Sequence, residues 1–83
     1  MKATIKRYNE GSWVTSFVVT TDPVSVVNSE GHVLSAEEFK EWADSMVPVR
    51  YEGKQHTPLT DLNSWLYGLA SRPLSRLSVQ LSE

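Results

Sequence analysis

Several residue types and patterns are missing from this chain, and each absence limits what the protein is expected to be. It has no cysteine, so no disulfide can stabilise the fold. Glycine and proline are few, with four of each, which argues against a disordered chain. No apolar run approaches the roughly eighteen residues of a membrane span, and no signal peptide or anchor is expected. We therefore expect a globular, cytoplasmic protein that is stabilised by its apolar core.

A dominant basic charge is also missing. The formal net charge is −2, distributed as +2 over residues 1–21, −5 over residues 22–46 and +1 over residues 47–83. Proteins that bind nucleic acid directly usually present a basic face to the phosphates. Direct binding to nucleic acid is therefore not expected, although Lys2, Lys6 and Arg7 form a small basic cluster near the start.

Residues that suit a pleated surface dominate the first third of the chain, and they predict an antiparallel sheet. Strands are predicted at residues 3–8, 12–20 and 24–27, and a further short one at 49–52. Residues 32–34 fit either a short strand or an extended lead into the helix that follows. A three-residue hairpin loop is predicted at Asn9-Glu10-Gly11. Simple alternation in the second strand places Trp13, Thr15, Phe17 and Val19 on one face.

Three helices are predicted in the rest of the chain. Ser35 and Glu38 have the spacing of a capping box, so a helix should cover residues 36–46. Thr57 before Pro58 predicts the start of a second helix, and the spacing of Leu74, Leu77 and Leu81 predicts a short third one. We thus expect one α+β domain over residues 1–83, an antiparallel sheet of three to four short strands with two main helices and a short C-terminal helix packed on one face.

Residues that could form a catalytic or metal site do not cluster in the sequence. His32 and His56 stand apart, and no second histidine lies four residues from either. No serine lies in a Gly-x-Ser-x-Gly elbow, and the glycines are too widely separated for a phosphate-binding loop. We therefore expect no cofactor, no metal and no enzymatic activity, and a protein that acts by binding a partner.

Two surfaces are candidates for that binding. The first is the sheet face left uncovered by the helices, where exposed aromatic and basic residues could anchor a partner. The anchors predicted there are Lys6, Arg7, Tyr8, Trp13 and Arg50. The second is the acidic side of the first helix, where Glu37, Glu41 and Asp44 could imitate phosphates, although such residues are usually only solvated.

Residues 59–77 also resemble part of a known family. The string LNSWLYGL at residues 62–69, followed by Leu74 and Arg76-Leu77, resembles the C-terminal region of a small phage anti-CRISPR protein that inhibits the type I-F surveillance complex. The resemblance implies a four-stranded antiparallel sheet with two helices on one side. It also implies a protein that binds the repeated backbone subunits of the guide-RNA complex and blocks pairing with target DNA, with Tyr8 carried over as a contact.

The leading hypothesis is therefore a non-catalytic inhibitor that acts in a bacterial host by binding a CRISPR-associated backbone subunit. One departure from the family is that the helix at residues 36–46 lies where the family continues its sheet. The alternative hypothesis is an immunity protein or antitoxin whose acidic helix plugs the basic site of a toxin.

Overall fold

The structure is a computed structural model that describes residues 1–72 and 77–82. The described chain is an α+β fold with a four-stranded antiparallel sheet, two helices and a separate two-stranded hairpin. The strands are β1 Lys2–Asn9, β2 Ser12–Thr21, β3 Val24–Asn28, β4 Val49–Tyr51, β5 Lys54–His56 and β6 Leu77–Ser82. The helices are α1 Ala36–Ser45 and α2 Leu62–Ser71.

The four-stranded sheet has the order β3-β2-β1-β6, and every neighbouring pair is antiparallel. Its first hairpin turns over only two residues, Glu10 and Gly11, because Asn9 already pairs with Ser12. The prediction of a three-residue loop was therefore wrong. Both turn residues have positive φ, 49° and 85°, which is the backbone that tight hairpin turns between twisted strands require.

A bulge in β2 changes which side chains share a face. Ile5 pairs with Phe17, but the next residue, Lys6, pairs with Thr15, so Ser16 is an extra residue opposite β1. Beyond the bulge, Trp13 pairs with Tyr8 and lies on the opposite face from Phe17. The expectation that Trp13 and Phe17 share a face was wrong, because simple alternation does not allow for an inserted residue.

Residues 77–82 form a strand, β6, where a short helix was predicted. Leu77, Val79 and Leu81 alternate with polar residues, and β6 pairs with β1 along its whole length. Pairing with β1 favours the two-residue period over the helical spacing of Leu77 and Leu81, which explains why the helix prediction is not confirmed. Leu74, the first residue of that prediction, lies outside the described residues.

The start of α1 was predicted correctly and the start of α2 was not. Ser35 Oγ accepts a hydrogen bond from the Glu38 backbone N–H at 3.2 Å, and the Glu38 carboxylate accepts one from Ser35 N–H at 3.0 Å. In α2, however, the N-cap is Asp61 and the helix begins at Leu62. Thr57 forms a separate turn with Thr60 instead, since the Thr60 and Asp61 N–H groups both bind the Thr57 carbonyl.

Both helices pack on the same face of the sheet, which we call the closed face and define by Ala3, Ile5, Val19 and Val26. The Trp42 ring of α1 lies 5.6 Å from that of Phe17 and 5.8 Å from that of Trp65 on α2. These aromatic contacts join the sheet and both helices in one apolar core. The opposite side, which we call the open face, carries Lys2, Thr4, Lys6 and Tyr8 of β1.

The hairpin of β4 and β5 is held close to α2 by a glycine. A Cβ on Gly68 would lie 2.8 Å from Val49 Cγ2 and 3.2 Å from Tyr51 Cβ, so the helix can approach β4 only because this side chain is absent. The Trp65 indole N–H donates to the Val47 carbonyl at 3.0 Å and fixes the chain just before β4. Neither helix in the described part of the chain has the length and apolar character needed to cross a membrane.

Candidate interaction surface

The open face of the sheet carries basic, polar and some apolar residues, with Val18 and Val27 among them, and the described strands contribute no carboxylate to it. The four strands contain Lys2, Lys6 and Arg7 and no aspartate or glutamate. Lys2 and Lys6 both lie on the open face, because residues two apart in a strand point to the same side. Ser78 and Gln80 of β6 lie beside Lys6 and Thr4 on the same face. This face therefore favours a partner surface with negative or hydrogen-bonding groups.

An exposed aromatic pair lies at one end of the open face. The rings of Tyr8 and Trp13 meet edge to face with their centroids 5.3 Å apart. Tyr8 is 44% exposed and Trp13 is 48% exposed, whereas Trp65 in the core is only 1% exposed. Tryptophan and tyrosine are enriched among the residues that contribute most to binding at the centre of protein interfaces.

The predicted anchors are only partly brought together. Lys6 lies next to Tyr8 along the open face, with Thr15 and Ser78 as its cross-strand neighbours. Arg7 points to the other side of the sheet, where it lines an open depression with residues that include Val14 and Phe17. Arg50 lies on β4, which belongs to the separate hairpin. Of the five predicted anchors, the structure therefore places Lys6, Tyr8 and Trp13 on one surface.

Sequence reasoning missed two members of this surface, Lys2 and Thr4. Every second residue of a strand lies on the same face, so Lys2, Thr4, Lys6 and Tyr8 share one face of β1. The alternation along β1 could therefore have predicted that Lys2 and Thr4 belong to this surface. In the sequence, Lys2, Lys6 and Arg7 form one basic cluster. The pleat separates it into two lysines on the open face and Arg7 on the other side.

The acidic residues of α1 form the second candidate surface. Glu37, Glu41 and Asp44 are all exposed, and their spacing aligns them along one side of the helix. The buried residues Trp42 and Ala43 lie on the other side, against the core. The acidic stripe therefore points away from the sheet, so that the two candidate surfaces lie on opposite sides of the molecule.

Glu38 is the one acidic residue of α1 that has a structural task. The backbone N–H of Ser35, together with the His32 ring and the Ser35 hydroxyl, lowers the pKa of Glu38 from 4.5 to about 2. The His32 Nε2 atom lies 3.0 Å from Glu38 Oε1, so His32 is a hydrogen-bonded, exposed loop histidine. Glu38 is thus engaged at the helix start, which leaves Glu37, Glu41 and Asp44 as the outward stripe.

Asp61 has a comparable task at the start of α2. Its carboxylate accepts hydrogen bonds from the Ser64 N–H at 3.1 Å and from the Ser64 hydroxyl at 2.9 Å, and these bonds lower the pKa of Asp61. Within residues 1–72 and 77–82, no three His, Asp or Glu side chains come together in a way that could hold a metal ion.

Comparisons of this chain with protein-family models, with curated proteins and with solved structures find no match.

Proposed function

We propose that this protein is a non-catalytic inhibitor that binds a protein partner through the open face of its sheet and blocks that partner sterically. The proposed target is a bacterial defence complex in the cytoplasm of the host, the type I-F CRISPR surveillance complex. The subunit that this protein binds would be one of the repeated backbone subunits of that complex. The binding surface consists of the aromatic pair Tyr8–Trp13 and the adjacent Lys6, Thr4 and Lys2.

The exposed pair Tyr8–Trp13 is the observation that carries this proposal. Burial of apolar surface contributes about 25 cal/mol per Å², and this chain leaves two large rings about half in water instead of burying them in its core. The bulge at Ser16 and the edge-to-face contact hold both rings on the open face. Rings that are already ordered lose little side-chain entropy when a partner covers them, which favours binding.

The resemblance at residues 59–77 supports the identity of the proposed partner. It implies a four-stranded antiparallel sheet with two helices on one side, and this chain has a four-stranded antiparallel sheet with both helices on the closed face. Tyr8, the contact that the resemblance carries over, lies on the open face beside Trp13. The helix α1 remains a difference from that family, since it lies where the family continues its sheet.

Target-DNA binding by a purified type I-F surveillance complex, measured by gel shift with and without this protein, tests the proposal. We expect the wild type to abolish the shift of target DNA. We expect Tyr8→Ala to weaken inhibition by about 30-fold or more, as the loss of an interface hot spot of about 2 kcal/mol predicts. Tyr67→Ala is the matched control, because Tyr67 is also 44% exposed but lies on α2.

Two outcomes would reject the proposal at different levels. Normal DNA binding by the complex at saturating protein, together with a host-lysate pull-down that recovers no CRISPR-associated subunit, would reject the partner. Equal inhibition by the wild type and by the Tyr8→Ala/Trp13→Ala double variant would reject the open face as the binding surface.

The acidic stripe of α1 supports a second candidate function, that of an immunity protein or antitoxin. Its three carboxylates are exposed, aligned and directed away from the body of the protein. Binding through this stripe should weaken steeply with added salt, because its carboxylates would face a basic site on the toxin. The variant E37Q/E41Q/D44N should then lose its partner while Tyr8→Ala keeps it, which is the reverse of the result expected for the open face.

A further inference from the structure

The two edges of the four-stranded sheet are treated differently by the fold. At the β3 edge, the chain that leads to α1 lies alongside the strand. The Asn28 N–H donates to the His32 carbonyl at 2.9 Å, and the Leu34 N–H donates to the Val26 carbonyl at 2.8 Å. At the other edge, no strand within residues 1–72 pairs with the outer side of β6. Among the described residues, one edge is therefore covered by the protein's own chain and the other is not.

The β6 edge also lacks the features that usually prevent strands from pairing between molecules. Natural edge strands are commonly protected by charged residues, by proline or by bulges. The sequence of β6, LSVQLS, contains no charged residue and no proline. Its register with β1 runs without a shift from Leu77 opposite Arg7 to Ser82 opposite Lys2. This strand is therefore a regular, uncharged template for a further strand.

We propose that β6 pairs antiparallel with β6 of a second copy of this chain, about a two-fold axis at Val79. An axis perpendicular to the sheet keeps the closed faces of both copies on the same side. Leu77 then lies opposite Leu81 of the second copy, and Ser78 lies opposite Gln80 of the second copy. Apolar residues meet apolar residues on the closed face, and polar residues meet polar residues on the open face.

Burial and charge both favour a second copy as the occupant. Leu77, Val79 and Leu81 pack against the core but are only partly buried, so a neighbouring strand would remove more of their apolar surface from water. No like charges meet across the proposed axis, because β6 carries none. The pairing generates one continuous eight-stranded sheet. It also places the Tyr8–Trp13 pairs of both copies on the same side of that sheet, so that the dimer could bind two copies of a repeated subunit at once.

Sedimentation velocity of the full chain over about a hundredfold range of concentration tests the dimer. We expect the wild type to shift from monomer to dimer. S78E/Q80E should remain a monomer, since carboxylates would face carboxylates at both polar pairs, whereas S78E/Q80K should dimerise at least as well as the wild type. The two variants share the change at Ser78, which faces Lys6 of its own chain, and circular dichroism checks that both are folded.

Cross-linking provides a test that does not depend on added charges. The chain has no cysteine, so Val79→Cys creates a single thiol at the proposed axis, where directly opposed Cα atoms lie about 4.5 to 5.5 Å apart, within disulfide range. Mild oxidation should give a covalent dimer, and Val24→Cys at the β3 edge should give none under the same conditions. A wild type that stays monomeric throughout, or equal cross-linking at both edges, would overturn the proposal.

Discussion

The two faces of the four-stranded sheet use aromatic residues in different ways. On the closed face, Trp42 and Trp65 are buried and connect both helices to the sheet. On the open face, Trp13 and Tyr8 contact each other but remain about half exposed. Aromatic content alone therefore does not reveal what stabilises a small fold, because the closed-face rings are buried in the core and the open-face rings are left about half in water.

Replacing one tryptophan on each face with alanine should give the largest contrast. Trp65→Ala should reduce the free energy of unfolding by about 3 to 5 kcal/mol, because it removes a fully buried ring and its hydrogen bond to Val47. Trp13→Ala should reduce it by about 1 kcal/mol or less, because Trp13 lies outside the apolar core and about half of its side chain is already in water. Urea unfolding followed by circular dichroism measures both. Similar losses for the two variants would contradict the assignment of the faces.

The close approach of α2 to β4 can be broken by adding one methyl group. Gly68→Ala should lower the free energy of unfolding by about 1 to 3 kcal/mol, because the new Cβ would meet Val49 Cγ2 at 2.8 Å. The intrinsic helix propensity of alanine predicts the opposite, a gain of about 1 kcal/mol. Thermal unfolding of the Gly68→Ala variant distinguishes the expected loss of stability from the expected gain. Asn63→Ala, at an exposed position of the same helix, serves as the control.

Loss of the α1 cap should affect the closed side of the molecule without affecting the open face. Ser35→Ala should lower the free energy of unfolding by about 1 kcal/mol, since the Glu38 N–H loses its acceptor at the helix start. Partner binding through Tyr8 and Trp13 should remain unchanged. A binding defect in a variant that is still folded would show that α1 takes part in the interface.

The smallest effect should come from the titration of Glu38. The pKa of Glu38 is lowered from 4.5 to about 2 in the folded protein. The ionised carboxylate therefore stabilises the fold fully above pH 4.5, and this stabilisation is lost as the pH falls through about 2. The thermal unfolding midpoint of the wild type should therefore fall more on acidification than that of the Glu38→Gln variant. An NMR titration of the Glu38 carboxyl that gave an ordinary value would contradict the capping geometry.

Local signals predicted the elements that depend on neighbouring residues. The Ser35–Glu38 capping box gave the start of α1, and the β-branched stretches gave β1, β2 and β3. The structure of residues 77–82, in contrast, depends on pairing with a strand that is distant in the sequence. The residues of β6 fit both a helical and an alternating period, and only their pairing with β1 settles which one forms. The start of α2 was missed because Asp61, four residues after Thr57, is the residue that caps it.

The candidate surface was predictable in composition but not in arrangement. Lys6, Tyr8 and Trp13 were identified from the sequence, but the inserted Ser16 decides that Trp13 shares a face with Tyr8. A bulge has no reliable sequence signal when its extra residue is an ordinary serine. Arg7 and Arg50 were grouped with this surface because they are basic, and the strand pleat and the separate hairpin place them elsewhere.

Hydrogen–deuterium exchange of this protein, alone and with the backbone subunit of a type I-F surveillance complex, is a direct test of binding through the open face. Binding through the open face predicts new protection in β1 and in the first half of β2, around Tyr8 and Trp13, and unchanged exchange in α1. Protection confined to α1, around Glu37, Glu41 and Asp44, would show that the protein binds through its acidic stripe and not through the open face.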